Sequence, residues 1–445
     1  MKKFALVVVS VICVILAACA GGTEVLSMED NLRIDTSEII SHTNVEAAPL
    51  IDTRTIARDE NNFAVERGAN DFAFALGSAL LEDVGTDNFI VSPYSVWLPL
   101  AALINAAHED YRPALIEILA AEGLDVATIN QATSRMLFDL TNERSRLAAG
   151  EDWYGSPLQI ANAVLVNNRY TINTEFAQTF ADYFRGEAIA MDFASPNAVV
   201  AINQWASDNT NGRITNVLEE IDPNTAVAIA NAIYFTGSWI NEFNPDNTSR
   251  EIFHSPTGDV YAYFMRRNFH DIMYFEDERM QSLAMHFYTG GTLRILLPHD
   301  GDAVGLLSDM TAEQFEAIGP NSVRGSGRLV LPRFSIESKL NLVDALTALG
   351  LGALFCETTA PLTNLIYHPY PCFLSNAVQV ATIEVDEEGA TAAAVTIIEA
   401  VALSYNPDPI IPFEMICDRP FAFVLSRHLS GGGQQILFTG VVNQP

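Results

Sequence analysis

Enzyme signatures are missing from this chain. It contains no HExxH, no paired CxxC, no P-loop, no G-x-G-x-x-G after a strand and no G-x-S-x-G elbow. Its eight histidines, His42, His108, His254, His270, His286, His299, His368 and His428, are scattered without ligand spacing. Nothing therefore marks a metal centre, a cofactor site or an activated nucleophile, and the chain reads as a protein that is not an enzyme. Positive charge is also scarce: 24 Lys and Arg stand against 55 Asp and Glu, for a formal charge of −31. That balance argues against nucleic acid, heparin-like polyanions and anionic membrane surfaces as electrostatic partners. Cysteine is sparse, with five in 445 residues. Cys13 and Cys19 lie near the start, which leaves Cys356, Cys372 and Cys417 for the folded part. These allow one disulfide at most, Cys356 with Cys372 closing the shorter loop, or else three free thiols.

What is present begins with a targeting signal. Lys2 and Lys3 precede an apolar run from Phe4 to Leu16, too short for a membrane-spanning helix. Leu16-Ala17-Ala18-Cys19 then resembles the bacterial lipobox, in which the cysteine thiol takes a diacylglyceryl group. The resemblance implies a leader over residues 1–18, lipidation at Cys19, and a protein held on the outer face of a bacterial membrane by its acyl chains, at about 0.8 kcal/mol per buried methylene. Losing Lys2 and Lys3 with the leader would take the charge from −31 to −33. The polar stretch 19–62 reads as a flexible spacer, and residues 63–445 as one large domain.

Within that domain, periodicity predicts helices over Asn70 to Leu81, Ser95 to Ala107, Pro113 to Ala121, Ala127 to Leu147, Thr174 to Tyr183 and Pro196 to Asn209. Strands are expected at Leu158 to Val166, Ala226 to Phe235, Thr292 to Leu297, Leu329 to Leu331, Ala377 to Val385, Phe421 to Leu425 and Gln435 to Val442. Helices and strands are mixed without βαβ alternation. The class is α+β with large sheets.

Several segments, taken in order, resemble the serpins, a family of mostly protease-inhibiting proteins. They are Asn88 to Ser95 (NFIVSPYS), Leu158 to Ala163 (LQIANA), Asn203-Gln204-Trp205 with Thr210 to Ile214, and Asn231 to Trp239 (NAIYFTGSW). Phe264-Met265, Leu297-Pro298, Leu331 to Phe334, Ala345 to Gly350, Asp418 to Phe421 and Phe438 to Pro445 follow. The resemblance implies large mixed sheets surrounded by helices, with an exposed reactive-centre loop over about residues 387–412. Glu387, Glu388 and Gly389, followed by Ala390, Thr391, Ala392, Ala393 and Ala394, correspond to the family's hinge. Ser92, Ser95, Asn231 and Gln379 correspond to positions beneath the sheet opening, where many serpins carry a histidine in place of Gln379. Trp239 and Arg333 correspond to the insertion site, where Arg333 is placed to pair with Glu387. The region of the family's heparin-binding helix, around Ala127 to Leu147, lacks a basic cluster.

The family's loop is a protease bait that inserts as a strand once cut, and the residues suit that physics. One alternating set, Ala390, Ala392, Ala394, Thr396, Ile398 and Ala400, is small and uncharged. The other, Thr391, Ala393, Val395, Ile397, Glu399 and Val401, carries its single charge where it can face solvent. No proline interrupts Gly389 to Asn406, so every residue can donate to a ladder. Inserting about 14 residues at about 3.3 Å each would carry the bait end roughly 45 Å. The family's spacing puts the cut bond between Leu403 and Ser404. Leu403 suits a protease with an apolar primary pocket: chymotrypsin-, subtilisin- or elastase-like. Pro407, Pro409 and Pro412 lengthen the segment beyond it relative to common serpins. The function implied is a monomeric, irreversible suicide-substrate inhibitor of serine or cysteine proteases. The alternative is a non-inhibitory serpin that acts as a cell-surface binding module.

Overall fold

A computed structural model describes residues 47–51, 59–119, 123–141, 158–288, 290–367, 372–389, 410–430 and 432–445, together with the backbone of 6–18 and 40–42. The strands, in chain order, are β1 (Leu6–Ala18), β2 (Ile40–His42), β3 (Phe89–Val91), β4 (Leu158–Asn167), β5 (Thr171–Ile172), β6 (Gly186–Met191), β7 (Thr225–Gly237), β8 (Ser249–Ser255) and β9 (Gly258–Glu276). They continue with β10 (Met280–His286), β11 (Gly291–Pro298), β12 (Val323–Pro332), β13 (Phe334–Asn341), β14 (Ile366–Tyr367), β15 (Cys372–Val385), β16 (Ile411–Ile416), β17 (Phe421–His428) and β18 (Gln434–Val442). The main helices are α1 (Glu60–Leu81), α2 (Pro93–Leu103), α3 (Arg112–Leu119), α4 (Val126–Leu140), α5 (Thr174–Phe184), α6 (Ala198–Asn209), α7 (Ala303–Ser308) and α8 (Ala312–Asn321).

Two large sheets share the core. One has seven strands in the order β13-β15-β1-β7-β4-β6-β2, and the other nine, β16-β12-β9-β10-β11-β17-β18-β3 with β8 paired to β9. Strand β7 (TAVAIANAIYFTG) is buried along nearly its whole length, as a central strand covered on both faces must be. Helix α2 is buried at every residue and rises from β3 beneath the seven-stranded sheet. Its first turn is capped by Ser92, whose Oγ accepts from Ser95 N at 3.4 Å.

Helix α1 starts at Glu60, ten residues before the expected Asn70. Asp59 caps it in a reciprocal box, accepting from Asn62 N at 3.1 Å while Asn62 Oδ1 accepts from Asp59 N at 3.2 Å. Asn70 is instead a buried mid-helix residue that clamps β18. It donates to Gln434 O at 2.8 Å and accepts from Ile436 N at 3.0 Å. Asn88 grips the following residues in the same way, bonding the backbone of Asn443 and Gln444 at 2.6–2.9 Å. The long β9 and the strand β13 were not expected from the sequence.

The described parts of the leader and spacer regions lie against the domain. Strand β1, the apolar run read as a leader, lies between β15 and β7, antiparallel to both. Strand β2 pairs β6 at the sheet edge, and Ile51 N donates to Ser134 Oγ on α4 at 3.0 Å. These contacts fall within the stretch expected to be a spacer. Cys356 and Cys417 are free thiols, so the Cys356–Cys372 disulfide is not formed. The hydroxyl of Thr358, followed by nearby backbone donors, lowers the Cys356 thiol to about 7.

Candidate functional site

The turn that follows β15 delivers three consecutive acids into a constrained corner. Glu387 is only 5 % exposed, and its carboxylate takes three hydrogen bonds from Arg333 at 2.7–3.0 Å. Arg333 Nε reaches both oxygens, Nη2 reaches one, and the Thr248 hydroxyl donates to the same carboxylate. Burial pushes the Glu387 carboxyl up, but Arg333 and Thr248 outweigh it and hold the group below its ordinary value. Arg333 in turn lies over the Tyr263 ring at 5.6 Å. The pair belongs to the partly buried, geometrically fixed class of salt bridges and not to loose surface contacts.

Asp386 closes the other side. Its Oδ1 accepts from the backbone N–H of Glu388 at 3.0 Å and of Gly389 at 3.2 Å, so the chain turns tightly around it. Burial is the main reason its carboxyl is raised, to about 6, and the neighbouring Glu387 and Glu388 add to it. Glu388 Oε2 is buried without a hydrogen-bond partner among the described residues.

Trp239 is the wall against which this corner packs. It is fully buried, stacks on Phe287 at 4.2 Å and donates from Nε1 to Asp386 O at 3.0 Å. Phe243 N donates to Glu387 O at 3.0 Å. Gly389 bridges to Ser238 with φ +78, and a Cβ there would stand 2.6 Å from Trp239 N and 2.7 Å from Gly237 O. Only glycine fits both the left-handed backbone and that approach.

Lower in the seven-stranded sheet a buried polar chain runs beneath β1. Gln379 exchanges two bonds with the Ser92 backbone, accepting from its N and donating to its O, both at 2.9 Å. Ser92 Oγ donates to Leu437 O at 2.8 Å, and Ser95 Oγ donates to Asn231 Oδ1. Asn231 passes the chain to Asn162 at 2.6 Å, and Asn162 to Phe184 O at 2.7 Å. Each side chain has a partner, as burial demands. Every link is neutral, so this layer holds no charge that switches near neutral pH.

The structure thus brings Glu387, Arg333, Trp239 and Gly389 into one corner, and Ser92, Ser95, Asn231 and Gln379 into one layer. Ala390 to Ala394, Leu403, Ser404 and Cys19 lie outside the described residues. Sequence reasoning missed Thr248, Asp386 and Asn162. Asp386 had a visible signal in the acid run EVDEEG, and Asn162 one in LQIANA; Thr248 had none.

Strand β16 resumes the chain beyond the loop. It takes Ile411 and Pro412, the last residues of the stretch expected as loop, into a parallel pairing with β12. Pro412 is tolerated because β16 is an edge strand. The strand lies so close that a Cβ on Gly327 would stand 1.8 Å from Phe413 O.

Comparison with known proteins gives a consistent result. Alpha-1-antiproteinase of Rattus norvegicus is 29 % identical over 380 residues, covering 84 % of this chain and 88 % of the relative. An uncharacterized serpin-like protein of Thermococcus kodakarensis is 28 % identical over 446 residues, covering 98 % of each chain. Among solved structures, the thermophilic serpin tengpin in its native state superimposes with a TM-score of 0.73 at 22 % identity, covering 92 % of this chain and all of that one. Human thyroxine-binding globulin does so with a TM-score of 0.71 at 21 % identity, covering 86 % and 99 %. The family model described as serpin (serine protease inhibitor) matches residues 67–445, and the chain belongs to the serpin family.

Proposed function

We propose that the protein is a suicide-substrate inhibitor of proteases with an apolar primary pocket, cut between Leu403 and Ser404. The observation that carries this reading is a register. The antiparallel bridge Gly389↔Ser238 is followed in the slot by the pair Leu6↔Gly237. A loop continuing from Gly389 by the same count would set Ala390 opposite Gly237, where Leu6 stands, and Ala402 where Ala18 stands. The thirteen residues of β1 are thereby matched by Ala390 to Ala402, and Leu403 is the first residue past the slot. This supports Leu403–Ser404 independently of the family's spacing.

The same count assigns faces. Residues directly opposite in a ladder share a side. Ala390, Ala392, Ala394 and Thr396 would stand opposite Gly237, Phe235, Ile233 and Asn231, all buried. Thr391 and Ala393 would stand opposite Thr236 and Tyr234, which are half-buried. Thr396, the only polar member of the inward set, would fall between Asn231 on β7 and Gln379 on β15, at the buried polar layer. A hydroxyl meets amides there, and methyl groups meet the apolar rows.

Cleavage frees the loop to fill the slot. A dozen ladder bonds at about 0.5–1.5 kcal/mol each, together with apolar burial, favour insertion strongly. A protease still acylated at Leu403 would be dragged about 43 Å, out of register with its own oxyanion hole, and deacylation would stall. The test is incubation of the chain that begins at Cys19 with chymotrypsin- and subtilisin-type proteases. The expected result is an SDS-stable adduct and a released fragment that begins at Ser404. Cleavage with turnover and no adduct would instead favour a non-inhibitory surface-binding serpin.

A further inference from the structure

The slot that the proposed function reserves for the loop is filled by residues 6–18. Strand β1 pairs with β15 from Val7↔Glu384 to Ala18↔Cys372 and with β7 from Leu6↔Gly237 to Ala17↔Thr225. Its sequence, LVVVSVICVILAA, has no charge, glycine or proline, and seven of its thirteen residues are β-branched, which suits a strand flanked on both sides. The facing edges of β7 and β15 are both paired with β1, which joins them into one sheet. By register β1 and residues 390–402 compete for the same positions, and the two cannot be accommodated together. They differ at one telling place, because Ile12 occupies the position between Asn231 and Gln379 where the loop would put Thr396.

We propose that, while the N-terminal run stays attached, it occupies the insertion slot and holds the protein in a form that proteases cut without being trapped; removal of the run switches inhibition on. The proposal rests on the inhibitory reading for its consequence, but not for the occupancy itself. In the uncut run-bearing chain the loop can still be cleaved at Leu403, yet it has no slot to enter, so the acyl-enzyme is hydrolysed by water in the ordinary way and the protease leaves active.

Three forms decide the matter: the full chain, the full chain carrying Val9→Pro and Val11→Pro, and the processed chain that begins at Cys19. Proline removes ladder donors from β1 without touching the body of the protein. With subtilisin in equimolar amount, the full chain is expected to give at least tenfold less SDS-stable adduct than the processed chain, with the proline variant close to the processed form. Backbone amides of β7 and β15 should exchange at least tenfold more slowly in the full chain than in the other two. Equal exchange in the full and processed chains overturns the occupancy, whatever the adduct yield. Slower exchange with equal adduct yield overturns the switch. If no form traps any protease, the inhibitory reading fails, while exchange still decides whether the run fills the slot. Should the proline variant not fold, the full and processed chains alone make the comparison.

Discussion

Arg333 and Glu387 carry unequal risk because they are unequally buried. Replacing Arg333 by Met leaves a carboxylate that is only 5 % exposed facing Thr248 alone. An uncompensated buried charge is expensive, but Arg333 is itself 45 % exposed, so solvent screens part of the loss. Arg333→Met should lower native-state stability by about 1–3 kcal/mol, and Glu387→Gln by less, both read by urea unfolding. The neighbouring acids make the corner sensitive to pH in opposite senses. The Asp386 carboxyl is raised to about 6, mainly by burial, so its contribution is complete below its unfolded value near 4 and is lost as pH rises through about 6. The Glu387 carboxyl is held low, so its contribution is present above its unfolded value and is lost as pH falls through its folded one. The hinge should therefore hold tightest near pH 4 and loosen as pH rises from there to about 6. Asp386→Asn should remove the decline between about pH 4 and 6 and leave the acid limb in place, as followed by melting temperature across about pH 2–8.

At the level of elements, the alternation of the loop is its most testable property. An arginine at Ala392 would point at the face of Phe235 and Ile233, whereas one at Ala393 would point at the face of half-buried Tyr234. Ala392→Arg should turn trapping into turnover, with at least a tenfold loss of adduct, while Ala393→Arg should retain most of it. Gel analysis of matched reactions separates the two. Much of the element pattern was legible because it rests on burial. Strand β7 announces itself by an unbroken apolar run, and α2 by Ser92-Pro93 followed by apolar residues. Strand β9 did not, because its burial alternates irregularly through Arg266, Arg267, His270 and Asp271, and it is held by pairing to β8 and β12 and not by a clean apolar face. Asn70 misled for a related reason. An asparagine before an apolar run has the chemistry of a cap, and only its partner 364 residues away shows it to be a clamp. The hinge acids were visible as a run, but Thr248 reaches Glu387 from the turn before β8, and such a meeting is a property of topology alone.

For the molecule as a whole, charge and strand order set what can act on it. Helix α4, in the region that the resemblance matches to the family's heparin-binding helix, contributes one arginine, Arg135, which is 8 % exposed and bonded to Asn62 at 2.8 Å. With a net charge of −31 as well, inhibition should be no faster with heparin present than without it, as measured by second-order trapping rates at low salt. In the chain that begins at Cys19, cleavage at the loop should raise the melting temperature by about 20 °C if a dozen new ladder bonds form, and calorimetry of the cut and uncut forms checks this. The clamps at Asn70 and Asn88 have a further effect, on timing. Each finds its partners at residues 434–444, some 355 to 366 positions later in the chain. At about 5–20 residues per second, a ribosome needs roughly 20–70 s to supply those partners after Asn70 has emerged. During that interval α1 carries a buried-type amide with nothing to bond, and β3 has no neighbour. The first elements made must wait for the last, so the nascent chain cannot close around them until its final residues have been made.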